Sequence, residues 1–183
     1  MEGGSLRGFT LIELLVTIAL LAIFSLIAVP AYRNFIAANR AATELNTFVA
    51  HLQYARIAAM QNGTNVSMCV SEDGVSCKGA GNWNEGWMIF VDRDNDRTLD
   101  DGEALLRVHA ALPGGDRLVG NSNIDDAITF NRFGIPAGVY TGTVVLHANP
   151  DRTSALRCIK ISRVGKVRAL RGDDCCEPKK KCK

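Results

Sequence analysis

Gly8-Phe9-Thr10-Leu11-Ile12-Glu13-Leu14, preceded by Arg7, opens an apolar run that continues to Ala31 and governs how the rest of the chain is read. From Leu11 to Ala31 the one ionisable side chain is Glu13, with Thr17 and Ser25 as mild polar interruptions. A helix over this run, rising about 1.5 Å per residue, is roughly 30 Å long, the thickness of a bilayer's hydrocarbon core. The segment therefore reads as a transmembrane helix. An unpaired carboxylate in hydrocarbon costs about 3 kcal/mol or more, which marks Glu13 as a functional group. A cleaved secretory signal peptide is the rival reading, but its apolar stretch is roughly 7–15 residues and ends at small residues. Here the run is longer, carries Glu13 near its start and continues past Pro30 into a helical pattern.

Arg7 and the amino terminus, offset by Glu2, favour a cytoplasmic start and a C-terminal domain on the far side of the membrane. The six cysteines agree, because disulfides persist in oxidising compartments. None shows the paired CxxC spacing of a zinc site. Cys69 and Cys77 bracket a turn-rich segment and suit a hairpin staple. Cys158 is expected to meet Cys175 or Cys176 and tie down the C-terminus, leaving Cys182 and the other of the pair to close a small tail loop. A chain of 183 residues, 47% hydrophobic, suits one domain with a substantial core.

Gly8-Phe9-Thr10-Leu11-Ile12-Glu13-Leu14 resembles the processing motif of type IV pilins and type II secretion pseudopilins. The resemblance implies that a membrane prepilin peptidase cleaves between Gly8 and Phe9 and methylates the new N-terminus at Phe9. It also gives Glu13 an assembly role, pairing with the N-terminal amine of a neighbouring subunit. The implied partners are that peptidase/methyltransferase and other minor and major pilins, met through the N-terminal helix. The implied location is the bacterial inner membrane, crossed once with the C-terminal domain in the periplasm, and afterwards a pilus or pseudopilus.

Beyond Pro30, Leu45, Phe48, Val49, Leu52, Ala55, Ala59 and Met60 recur at helical spacing, a stripe able to pack on a sheet. Asn62-Gly63 supplies a left-handed stop. After it the period falls to two. Strands are expected at 64–70, 86–92, 105–110, 127–131, 143–147, 156–162 and 166–170, separated by Gly- and Pro-rich turns. The expected fold is α+β: a long, bent N-terminal helix, transmembrane in its first half, packed on an antiparallel sheet. The expected divisions are a leader over 1–8, an assembly helix over 9–31, its amphipathic continuation over 32–62, a β-rich periplasmic domain over 63–172 and a Cys/Lys-rich tail over 173–183. Trp87–Asp92, Ile128-Thr129-Phe130 before Gly134, and Ser162–Arg168 sharpen the resemblance to the GspH/FimT branch, which holds minor pilins and a minor pseudopilin.

Two charged segments could carry chemistry. Asp92, Asp94, Asp96, Asp100 and Glu103 occupy the first, third, fifth, ninth and twelfth places of a calcium-loop pattern. Arg97 stands at the sixth place, where the turn favours glycine, and a strand rather than a helix follows. The competing expectation is a solvated acidic hairpin loop screened by Arg93 and Arg97, with no cofactor. The second segment is basic. Eleven cations face three acids from Arg152 onward, in a chain of net charge +2, an asymmetry suited to phosphates or an acidic partner. In family members linked to natural transformation, a Gly-Arg-x-Arg segment contacts DNA. Gly165-Lys166-Val167-Arg168 resembles it with lysine for the first arginine, which keeps phosphate neutralisation but loses the bidentate fork. Arg163, Lys166, Arg168 and Arg171 are the DNA-contact candidates. The alternative is a solvated or subunit-docking face, since no aromatic side chain lies among these cations to stack on bases. The three histidines have no apparent nucleophile or metal partner and there is no phosphate-cradling glycine loop, so no enzyme is expected.

The expected function is that of a structural minor pilin priming or tipping a type IV pilus. The alternatives are a minor pseudopilin of type II secretion and a DNA-binding pilus subunit.

Overall fold

The computed structural model of the chain describes residues 8–79, 81–138, 141–148 and 156–175. The leader before Gly8 and the tail beyond Cys175, with Cys176 and Cys182, lie outside these. The chain divides into two compact units, one ending at Ala37 and one beginning at Ala38. The helix α1 runs from Leu11 to Asn62, through Pro30, and contributes to both.

In the first unit α1 presents its apolar side chains outward. From Leu11 to Ile36 every residue but Ala28 is exposed, and the helix is long and apolar enough to cross a membrane. Among the described residues of this unit nothing covers that surface, and a contiguous apolar patch of this kind marks an interaction site.

In the second unit the helix buries Ala41, Leu45, Phe48, Leu52, Ala55, Ala58 and Ala59, spaced three and four apart as one face requires. Val49 is only partly buried against the core. Met60, expected in the stripe, is instead 44% exposed. It follows Ala59 by about 100° of helical rotation and lies at the rim, against the Gly134 loop.

Eight strands follow: β1 Val66–Val70, β2 Trp87–Val91, β3 Leu105–His109, β4 Arg117–Gly120, β5 Ala127–Phe130, β6 Gly142–His147, β7 Arg157–Ile161 and β8 Val167–Arg171. They form two four-stranded sheets, ordered β3-β2-β1-β5 and β4-β6-β7-β8, with every pairing antiparallel. Both sheets send alternate residues into the core that covers the helix, including Val66, Ile89 and Phe130 from the first and Leu118, Val144 and Ile159 from the second. The strand β4 had no counterpart in the sequence reading.

Phe48 is the helix residue around which this core is packed. It meets Trp83 and Trp87 edge to face, with ring centroids 5.1 and 5.2 Å away, and all three are fully buried. The indole of Trp83 donates to the Ile124 carbonyl at 2.8 Å. That of Trp87 donates to His51 Nδ1 at 2.9 Å, while its ring stacks on His109 at 4.0 Å. His51 is therefore a packed neutral acceptor. Burial, with His109 and Arg107 nearby, lowers its pKa from the ordinary value. The folded state thus binds fewer protons there than the unfolded chain. The contribution to stability is complete above about pH 6.5 and falls away as the pH drops, by at most about 1.4 kcal/mol per pH unit. Thermal melts from pH 7.5 to 5 should show this loss, and a flatter profile for His51→Gln, whose amide oxygen can still accept from Trp87. His147 is lowered by partial desolvation and Arg117 and slopes the same way, so the informative quantity is the difference between the two proteins. Equal slopes would remove His51 from the account.

Two arginines fasten loops to the helix. Arg40 makes paired 3.0 Å bonds to both oxygens of the buried Asp116, and its guanidinium fills the space where a Cβ on Gly114 would stand. Arg56 donates to the carbonyls of Gly134, Gly165 and Val164 at 2.8, 3.3 and 3.3 Å.

Candidate functional site

The N-terminal segment combines an accessible peptide bond with a capped helix start. Gly8, Phe9 and Thr10 are exposed and precede the helix, with Phe9 82% exposed. Thr10 Oγ1 accepts the Glu13 amide at 3.3 Å, and the Thr10 carbonyl accepts the Leu14 amide at 3.2 Å. Thr10 thus acts as the N-cap and Glu13 stands in the first turn, where a carboxylate also meets the positive end of the helix dipole. That favourable effect, about 0.3–1 kcal/mol, is smaller than the cost of placing the charge in hydrocarbon. Capping alone does not account for a glutamate here.

The acidic segment lies between β2 and β3. By alternation along β2, Met88, Phe90 and Asp92 face away from the main core. Met88 and Phe90 join Cys69 and Ala127 in a second small core, against which Cys77 and Leu99 pack. The Cys69–Cys77 disulfide, with Cα atoms 5.6 Å apart, fastens one side of that cluster. Leu99 holds the acidic loop to it. Asp92 is wholly buried beside Ser67 and Thr129. The Ser67 hydroxyl donates to Asp92 Oδ2 and lies 2.7 Å from the Thr129 hydroxyl. Burial pushes the Asp92 carboxyl above its usual range, while Ser67 and the amides of Asn95 and Arg97 pull it back. Asp92 Oδ1 is buried and completes no hydrogen bond.

Carboxylate oxygens of Asp92, Asp94 and Asp96 lie within 4.8 Å of one another. Asp100 is close enough for Asp96, and then Asp94 and Glu103, to raise its carboxyl pKa. Glu103 closes the neck of the loop by accepting the Arg93 amide at 2.6 Å and the Asp100 amide at 3.3 Å. Arg97 has φ 65°, so it adopts the left-handed turn that the sequence pattern reserved for glycine, at a cost of about 1–2 kcal/mol. The two arginines expected to screen these acids reach one group within the loop and one outside it. Arg93 Nη1 donates to the Gly102 carbonyl at 3.0 Å, and Arg97 Nη1 is 3.9 Å from Asp126.

The basic candidates are divided between two faces. Across β7–β8, Arg157 pairs with Arg171 and Lys160 with Arg168. Alternation puts Arg171, with Arg157, on the face of Ile159 and Ile161, whereas Arg168 and Lys160 share the opposite face. Arg163 and Lys166 sit in the joining turn. That turn has a structural account of its own. Gly165 has φ 72°, a Cβ on it would come 2.5 Å from the Gly134 carbonyl, and Arg56 binds its own carbonyl. The glycine is therefore required by packing whether or not the adjacent cations have a ligand. Cys158 is bonded to Cys175, with Cα atoms 5.5 Å apart, and among the described residues no cysteine is free. Cys176, the alternative partner, lies outside them.

Comparison with known proteins agrees with this architecture. Residues 44–165 match the family described as type II transport protein GspH, and residues 6–29 match the prokaryotic N-terminal methylation motif. The pilin-like protein PilA1 of Thermus thermophilus is 29% identical over 171 residues, covering 88% of this chain and 97% of that protein. Among solved structures, the type IV minor pilin FimU of Pseudomonas aeruginosa superposes with a TM-score of 0.57 at 23% identity, covering 79% of this chain and 98% of that one. The minor pseudopilin EpsH of the Vibrio cholerae type 2 secretion system gives 0.51 at 10% identity, covering 72% and 97%. These two likenesses show a shared fold. The GspH match spans most of the chain, and the chain belongs to that family.

Proposed function

We propose that this member of the GspH family is a minor pilin, a structural subunit that helps to prime or tip a type IV pilus. The reading is carried by one juxtaposition: the methylation motif at residues 6–29 opens a helix whose apolar surface is uncovered within its own unit. Such a surface suits a bilayer first and neighbouring helices afterwards. In this reading the chain crosses the inner membrane once, with the β-rich domain in the periplasm. A prepilin peptidase releases the leader after Gly8, and the subunit enters a filament with Glu13 as its buried contact. The role is structural, with no catalysis of its own. Mass spectrometry of the mature protein should find an N-methylated Phe9 as its first residue. Any other N-terminus would overturn the processing step.

A second reading, a minor pseudopilin, is favoured by the family's description as a type II transport protein. Deletion strains separate the two: loss of surface filaments supports the pilus, and loss of exoprotein secretion with filaments intact supports the pseudopilus. A DNA-binding role is the weaker reading, because a duplex would need its cations on one surface and Arg168 and Arg171 stand on opposite faces.

A further inference from the structure

We propose that the loop from Asp92 to Glu103 is a calcium site, in which Asp92, Asp94 and Asp96 supply the central oxygen ligands and Asp92 anchors the ion to the back of the first sheet. Two independent observations meet here. The first is convergence: oxygens of the three carboxylates lie within 4.8 Å of one another, close enough to share one ion. The second is the state of Asp92. Its side chain has no exposure, its Oδ2 is held by Ser67, and its Oδ1 is buried without a hydrogen bond, although the backbone amides of Asn95 and Arg97 act on the carboxylate. Among the described residues it is the one buried side-chain oxygen or nitrogen left in that condition. Buried polar atoms in folded proteins are nearly always satisfied, and an exception points to an ion or an ordered water.

The loop's own cations are outnumbered. Six carboxylates face two arginines from Asp92 to Glu103, and of these Arg93 donates to the Gly102 carbonyl and Arg97 reaches toward Asp126 outside the loop. A bound dication would neutralise the cluster at its centre and give Asp92 Oδ1 a partner.

The donor set selects the metal. It offers oxygen alone, with no histidine or thiolate, which suits hard cations rather than zinc or copper. Magnesium demands near-ideal octahedral geometry, keeps several waters and takes one or two carboxylates, whereas calcium accepts six to eight oxygens in a flexible arrangement. Three converging carboxylates, followed by Asp100 at the ninth place, fit the larger ion. The absence of a following helix is no obstacle, since Glu103 closes the neck through the Arg93 and Asp100 amides and Leu99 packs the loop onto the small core. A site so placed would lock an exposed loop to β1 and β5 through Ser67 and Thr129.

The test uses the full-length chain in detergent, stripped with a chelator and titrated with calcium chloride by equilibrium dialysis and thermal melting. About one calcium per chain should bind, with a dissociation constant near the ~0.1–1 mM of extracellular calcium modules. Saturation should raise Tm by about 3 °C or more. Because Asp92 is buried, the variants are the exposed Asp94→Asn and Asp96→Asn, each of which should weaken binding about tenfold or more and remove the Tm shift. Absence of calcium binding at about 5 mM, binding unaffected by both substitutions, or equal binding of magnesium chloride would each overturn the proposal.

Discussion

Replacing Glu13 with leucine should leave the chain cleaved after Gly8 and inserted in the membrane, yet remove it from assembled filaments. The two halves of that result have opposite physical signs. For insertion, the substitution exchanges a carboxylate costing about 3 kcal/mol in a bilayer for one of the most favourable residues. A glutamate that merely happened to lie in the helix would therefore be improved by the change. Its one local benefit, the interaction with the helix N-terminus, is worth only about 0.3–1 kcal/mol. Thr10, not Glu13, supplies the capping oxygen, and Glu13→Leu keeps that bond because it uses the backbone amide.

In an assembled filament the sign reverses. If the Glu13 carboxylate pairs with the amine of a neighbouring Phe9, removing it leaves that amine buried without a partner, at a cost of about 3–5 kcal/mol per contact. The measurement is the ratio of mature protein in sheared filaments to that in the membrane fraction. Glu13→Leu should reduce it at least about a hundredfold, since 1.4 kcal/mol is a factor of ten, while Glu13→Asp should retain part of it. A leucine variant that enters filaments normally would reduce Glu13 to an accident of the helix.

The long helix was legible because its signals are local. The apolar run and the Asn62-Gly63 stop are both read from neighbouring residues alone; the cap at Thr10 was seen only in the structure. The strands were legible wherever β-branched residues lay between turn residues, and observed boundaries fall one or two residues inside most expected ones. β4 escaped because Arg117-Leu118-Val119-Gly120 is short, ends in glycine and has one fully buried side chain, Leu118. It is a strand through its pairing with β6, a long-range contact that propensity does not carry. The partition into two sheets is hidden for the same reason, since it depends on which strands meet.

The candidate sites divide along the same line. The spacing of Asp92, Asp94 and Asp96 is visible in one dimension, and so is the odd Arg97. What the sequence could not show is that Arg97 accepts a left-handed backbone, or that Asp92 is the buried member of the cluster because β2 points it behind the sheet. The basic segment is less legible. Eleven cations scattered from Arg152 onward show in one dimension only an excess of charge; among the described ones, strand alternation separates Arg168 from Arg171 and a helix arginine takes the carbonyl of Gly165.

Phe48→Ala is expected to be the most destabilising single core substitution on the helix, by about 3–5 kcal/mol. The ring is fully buried and meets both of the chain's tryptophans edge to face, so truncation loses hydrophobic transfer, two aromatic contacts and the packing around a new cavity. The site cannot collapse readily. Trp83 is held by its bond to the Ile124 carbonyl and Trp87 by His51 and the stacked His109, so neither indole can move into the space without giving up its hydrogen bond. The magnitude decides the phenotype: domains of this kind have about 5–15 kcal/mol in total, and a loss of this size lowers Tm by about 10 °C. Tryptophan fluorescence reports it directly, because Trp83 and Trp87 are the only indoles and both touch the altered residue. Met60→Ala, at an exposed position of the same helix, should stay within about 0.5 kcal/mol of the parent. If the two variants melt within about 2 °C of each other, the domain is not organised around Phe48, and the helix is held to its sheets mainly by the Arg40 and Arg56 clasps.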